Sequence, residues 1–246
     1  MRNMLKRRRR RGSAPPVDPN APPIGGVYWR ADAIQIEAEA NDPIEFFGGH
    51  GGEILEPAVQ ETLAAQMTYD PDMGGTGTPA LRAEGSQEYI LPDALKLRAQ
   101  EQPSTIYIVY RRRNTGSGVI FSWASTTANT REILFSQNFN GRLAISFGTT
   151  VQTAFGAMPN GRHLITGWND TSTQRAFLGG SQVISAATGA GGIPTSVPAK
   201  IGSREGGIFL VGDIQDIIVY LSAHDDSQRA TMWAWLNDRW DLGLTL

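Results

Sequence analysis

The strongest constraint on this chain is a succession of short β-forming runs separated by turn dipeptides. Thr105 to Tyr110 (TIYIVY) is β-branched and aromatic throughout, and Val119 to Trp123 (VIFSW) and Ile133 to Ser136 (ILFS) repeat that texture. Leu143 to Phe147 (LAISF) alternates apolar and small side chains, the period of a strand with two unlike faces. His163 to Trp168, Arg175 to Leu178 and Asp213 to Tyr220 continue the series. Between them fall Asn140-Gly141, Asn160-Gly161 and Gly179-Gly180, about 20 residues apart. These dipeptides tolerate the positive φ of a type I′ turn, whose twist matches that of the strands it joins. The spacing predicts an antiparallel, all-β meander and not βαβ units.

One helix interrupts this texture, near Asp225 to Trp240. Ser222 is placed to cap it, with Asp225 three residues on in capping-box position. Met232, Trp233, Leu236 and Trp240 form one apolar stripe, so the helix should dock on the β body, and Gly243 marks its end. A second, shorter helix is expected within Pro57 to Met67.

The first 26 residues are of a different kind. Arg2 and the unbroken block Lys6, Arg7, Arg8, Arg9, Arg10 and Arg11 put seven cations and no acid into residues 1–13. Like charges repel, so this block should be extended when free. Pro15, Pro16, Pro19, Pro22 and Pro23 then favour polyproline II, a semi-rigid spacer of about 3 Å per residue. No apolar stretch follows the arginines, so the N-terminus does not read as a secretory leader. The division expected is a basic, proline-rich arm over residues 1–26 and a β domain over residues 27–246. Outside residues 1–13, 15 basic groups face 24 acidic ones, so arm and body are of opposite sign and should meet different partners. The chain has no cysteine, which excludes disulfides and thiolate metal sites. It also has no apolar run long enough to span a bilayer, and no membrane partner is expected.

Several segments resemble the concanavalin A-like, laminin-G-like domains. Gly212 to Ser222 (GDIQDIIVYLS), followed by a helix ending in Trp235 to Trp240, resembles the closing strand and helix of that family, with Ile201-Gly202-Ser203 as the strand before. Tyr28 to Asp32 (YWRAD) resembles its opening tryptophan-centred strand, and Pro79 to Ile90 (PALRAEGSQEYI) its proline-alanine-leucine-arginine strand. Gly48 to Gly52 (GGHGG) stands where the family carries a tryptophan-and-aspartate piece. The resemblance implies an antiparallel two-sheet jelly-roll sandwich with a short C-terminal helix, behind an extended N-terminal arm. It covers lectins, glycanases, adhesion modules and phage virion proteins, so the fold does not choose the activity.

Candidate chemistry is sparse. Trp168, Asn169 and Asp170 put an aromatic ring beside amide and carboxylate at a strand end, the chemistry that takes a sugar's apolar face and hydroxyl rim. Trp123 is a second such ring, and core packing is the rival reading for both. Asp70 and Asp72, beside Gly74-Gly75, offer Ca²⁺ hard oxygen ligands in a loop, the rival being a plain turn. Arg111, Arg112 and Arg113 read either as a basic rim for an acidic partner or as a solvated strand end that blunts edge pairing. Glu37, Glu39 and Asp42 are the one crowded acidic group, and a catalytic pair there competes with a solvated face. His50, His163 and His224 share no metal-binding spacing, and no nucleophile elbow or P-loop occurs. The arm can neutralise nucleic-acid phosphates or grip an acidic protein surface.

The function expected is therefore non-enzymatic. The chain reads as a bacteriophage virion component, assembled in the host cytoplasm and present as a homo-oligomer or in many copies. Its arm would anchor to other virion proteins or nucleic acid, and its displayed sandwich would bind host surface glycans. The alternatives are a glycan-processing hydrolase and a free-standing lectin.

Overall fold

The computed structural model describes residues 22–24, 27–30, 43–44, 46–47, 49–50, 58–73, 75–91, 103–114, 116–123, 132–137, 141–148, 151–188, 199–204 and 207–245. The basic block, Glu37, Glu39 and Asp42 lie outside them. In chain order the strands are β1 (Val27–Arg30), β2 (Pro43–Ile44), β3 (Phe46–Phe47), β4 (Gly49–His50), β5 (Ala58–Val59), β6 (Met67–Asp70), β7 (Ala80–Glu84), β8 (Tyr89–Ile90), β9 (Ser104–Arg112) and β10 (Gly118–Trp123). They continue as β11 (Glu132–Gln137), β12 (Arg142–Gly148), β13 (Val151–Ala157), β14 (Gly161–Asn169), β15 (Thr173–Leu178), β16 (Ser181–Ala187), β17 (Lys200–Ile201), β18 (Ser203–Arg204), β19 (Ile208–Phe209) and β20 (Val211–Tyr220), before helix α1 (Asp226–Trp240).

Two antiparallel sheets form a sandwich. The first runs β16-β15-β14-β9-β20-β7-β6-β2, with β1 on β20 and β4 on β1. The second runs β13-β12-β11-β10-β17-β8-β5-β3. Strand β20 is the spine of the first sheet. It pairs with β9 along one side, and with β7 (Val211 to Ile214) and then β1 (Asp216 to Val219) along the other. A bulge at Gln215 falls at that handover.

Alternation along the strands explains two buried layers. Ile106, Ile108, Tyr110, Ile165, Ile214, Ile217 and Val219 point between the sheets, against Ile133, Phe135, Leu143, Ile145 and Phe147 of the second sheet. Their neighbours Tyr107, Val109, Leu164, Ile218 and Tyr220 point the other way, where Met232, Leu236 and Trp240 of α1 cover them. Both faces of β9 are thus dry from Thr105 to Tyr110, which is why Ile106 to Tyr110 is aliphatic and aromatic without interruption. The expected stripe on α1 docks as the 3.6 period requires, with Trp233 half-buried beside Phe177. Ile24 joins the same cluster, and its carbonyl accepts a 2.6 Å hydrogen bond from the Tyr220 hydroxyl.

Three local expectations are corrected. The helix expected within residues 57–67 is strand β5, a single 3₁₀ turn at Leu63–Ala65 and the start of β6. Leu63 is exposed and the turn has no buried residue, so no helical stripe exists to dock. The cap of α1 is Asp225, not Ser222: Gln228 N–H donates to its Oδ1 at 2.8 Å, and Gln228 Oε1 accepts from the Asp225 N–H at 2.9 Å. The Ser222 carbonyl instead accepts the Thr105 hydroxyl at 2.8 Å, tying Ser222 to the sheet. Finally, the three turn dipeptides do not link one meander. Gly179-Gly180, with φ of 56° and 84°, closes the β15–β16 hairpin as a type I′ turn requires. Asn160-Gly161 instead carries the chain from β13 in the second sheet to β14 in the first.

Two histidines are sealed into this body. Burial holds His224 below the ordinary imidazole range, with Arg229 adding to the effect against the pull of Asp225. Burial likewise lowers His163, against its hydrogen bond to the Pro159 carbonyl. The unfolded chain therefore takes up these protons first. Stability is complete above about pH 6.5, the ordinary imidazole value, and falls as pH drops below it. Thermal unfolding between pH 8 and pH 5 should show this decline, and a His163→Gln, His224→Gln chain should show a flatter profile in that window.

Candidate functional site

The outer face of the first sheet has two halves. Helix α1 covers one. The other carries a row of charges set by register: Asp213 of β20 lies directly opposite Arg82 of β7 on one side and Arg111 of β9 on the other. Alternation puts them there. Leu81, Ala83, Tyr110 and Ile214 fill the inter-sheet core, so Arg82, Glu84, Arg111 and Asp213 face outward. Arg113, just past β9, joins the row.

Asp213 is fully buried and is the hub. Its Oδ1 accepts from Arg82 Nε at 3.3 Å and lies 3.8 Å from Arg113 Nη1. Its Oδ2 lies 3.9 Å from Arg111 Nη1 and accepts no hydrogen bond from the described residues. Burial pushes the Asp213 carboxyl up, and Arg113, Arg82 and Arg111 pull it back. Around the hub, Arg82 also pairs with Asp70, Arg111 Nη1 donates to the Met73 carbonyl at 3.1 Å, and Arg113 Nη1 donates to Glu84 Oε1 at 2.5 Å. The side chains of Arg82, Arg111 and Arg113 are 25 %, 31 % and 30 % exposed, and that of Glu84 is 52 %. Three guanidinium groups and three carboxylates thus form an array of balanced formal charge, with its donors held from beneath by a buried anion. Guanidinium N–H groups donate and carboxylates accept, so such an array matches a polyhydroxylated ligand.

The residues singled out from sequence fare differently. Trp168 faces the helix side and is 8 % exposed. Its Nε1 donates to the His224 carbonyl at 2.9 Å, and Arg175 stacks 4.6 Å from its ring centre. Asn169 is buried, its Oδ1 accepting from Thr171 N–H at 3.0 Å and the Thr188 hydroxyl at 2.8 Å. Asp170 organises the β14–β15 turn, where slight burial opposes its charge but hydrogen bonds from Thr173 and Ser172 hold its carboxyl below the usual range. Trp168 and Asn169 therefore offer no open surface to a sugar. The side chain of Trp123, at the end of β10 in the other sheet, lies outside the described residues.

Asp70 and Asp72 shape the loop after β6. Asp70 Oδ1 accepts the Asp72 N–H at 3.1 Å, and Asp72 Oδ1 accepts the Gly77 N–H at 2.5 Å. With Arg82 on its other oxygen, Asp70 already has a cation. Among the described residues no three His, Asp or Glu side chains gather as a metal site would require. The arginine run divides by alternation: Arg111 and Arg113 join the array, while Arg112 turns inward and donates to the Asn114 and Met158 carbonyls. Sequence patterning does not single out Arg82, Glu84 and Asp213. The alternating Leu81 to Glu84 and the lone acid beside Gly212 are the available signals.

This architecture defines a class, the antiparallel two-sheet β-sandwich. Domain 4 of AbnA, an extracellular arabinanase of Geobacillus stearothermophilus solved with arabinotriose, superposes with a TM-score of 0.53 at 17% identity, covering 68% of this chain and 81% of that one. The CBM40 module of the Ruminococcus gnavus IT-sialidase, bound to α2,3-sialyllactose, gives 0.51 at 13% identity and covers 63% and 94%. A Trypanosoma rangeli sialidase with sialic acid gives 0.57 at 10% identity, and this chain spans 33% of its length. At these identities the likeness is one of fold. No family model and no curated protein matches the chain.

Proposed function

We propose that residues 27–246 form a non-catalytic glycan-binding module, displayed on a bacteriophage particle by the basic arm. The observation that carries the glycan reading is the open array of Arg82, Arg111, Arg113, Asp70 and Glu84 around Asp213, on a fold shared with whole sugar-binding modules. Catalysis at this array is disfavoured by the state of its carboxylates. Asp213 is buried, and Asp70 and Glu84 are ion-paired, so none is a free acid beside a free base. The tether reading rests on the arm's seven cations and proline spacer against a body of opposite charge.

A glycan panel probed with the full chain, and with a chain lacking residues 2–21, tests both parts of this reading. Both proteins should bind the same sugars and release no reducing ends. Only the full chain should remain on particles. Absence of sugar binding by both overturns the glycan reading, and particle attachment without the arm overturns the tether.

A further inference from the structure

Glu84 stands apart within the array. Asp213 is sealed beneath it, and Asp70 is largely covered and bound to Arg82. Glu84 is half exposed, sits at the open end of β7 before the Gly85 turn, and holds Arg113 through one oxygen. The same oxygen is 4.0 Å from Arg82 Nε. A carboxylate oxygen thus lies against two guanidinium groups that both flank the buried Asp213.

We infer that the Glu84 carboxylate occupies, from within the chain, the place of an oxyanion on the ligand, so that the site selects sugars bearing a carboxylate or sulfate group. This deepens the glycan reading and rests on it. Three features support it. Among the described residues Arg113 and Arg111 each use one terminal nitrogen in a hydrogen bond, and a guanidinium group carries five N–H donors. The Asp213 oxygen without a hydrogen bond from the described residues leaves the hub able to hold the arginines after a counter-ion leaves. The charges balance only while Glu84 is in place. A neutral sugar would leave that balance unchanged, whereas an anionic group that displaces Glu84 restores it at the same two arginines. An exposed ion pair is weak and screened, so this exchange is accessible.

The test compares wild type with Glu84→Gln and with the Glu84→Gln, Arg113→Ala double variant, all as full-length chains. The arm is common to them, so differences report on the array. The probes are a galacturonate trisaccharide, its methyl ester, and a sulfated galactose trisaccharide, titrated at fixed salt. Glu84→Gln should bind the galacturonate or the sulfated probe at least tenfold more tightly than wild type, and which of the two gains identifies the oxyanion. The methyl ester should not gain, and the double variant should lose the gain. A gain cannot arise from misfolding. Unchanged affinity for both anionic probes, or an equal gain for the methyl ester, overturns the inference. If neutral glycans bind the wild type but Glu84→Gln brings no gain, the glycan reading stands alone. If no sugar binds any variant, both fall.

Discussion

A Gly167→Ala chain should lose about 3 kcal/mol of stability, at the upper end of what overpacking costs. Gly167 lies in the middle of β14 and faces the second sheet. A Cβ there would sit 2.2 Å from Phe135 Cζ, 2.6 Å from its Cε1 and 3.1 Å from Phe147 Cζ. Neither ring can retreat easily. Phe135 is fully buried and packs edge-on between Phe121 and Phe147, with ring centres 6.2 Å and 6.0 Å away. Gly167 therefore sets the distance between the sheets at this point. For a domain of this size the loss corresponds to a fall in Tm of roughly 10 °C. Adding Phe135→Leu should recover some of it, because the two changes share one contact. A loss below about 1 kcal/mol in urea unfolding would mean that the sheets are not packed this closely.

Trp240→Ala should cost about 4 kcal/mol, the range for truncating a buried aromatic. Trp240 is the last residue of α1 and closes the outer cluster. Its Nε1 donates to Asp216 Oδ2 at 2.6 Å, in the middle of the spine strand, and the Arg239 guanidinium stacks 5.1 Å from its ring. Two losses combine: the packing of the ring and a donor to a buried carboxylate. Trp240→Phe separates them, since it keeps most of the volume and should cost about 2 kcal/mol for the hydrogen bond to a charged acceptor. Chemical denaturation of the two variants gives both figures. Equal costs would place the whole effect in the hydrogen bond and leave the helix loosely docked.

The expectations that held rest on local physics. The Thr105 to Tyr110 strand, the Gly179-Gly180 hairpin and the stripe on α1 are each decided by residues within a few positions of one another. The candidate site was mostly illegible because it is assembled across long loops. Arg82 and Asp213 are 131 positions apart and meet only because β7 and β20 pair. Trp168 looked like a platform at a strand end, but α1 returns some 60 residues later and its leading His224 takes the indole N–H. The arginine run could have been divided beforehand, since alternation along β9 already places Arg112 opposite Arg111.

The course of β20 has a mechanical consequence. Ile24 is pinned to Tyr220 at one end of this strand, while Asp213 and the arginine row sit near the other. Ten residues of extended chain separate the two ends by about 30 Å. Tension applied between Ile24 and the arginine row would run lengthwise along β20, across rungs that lie perpendicular to it. Rungs loaded in that direction share the force in shear and must break together, where a peeling load would open them in succession. A pull between these two points would thus strain the sandwich along its toughest line.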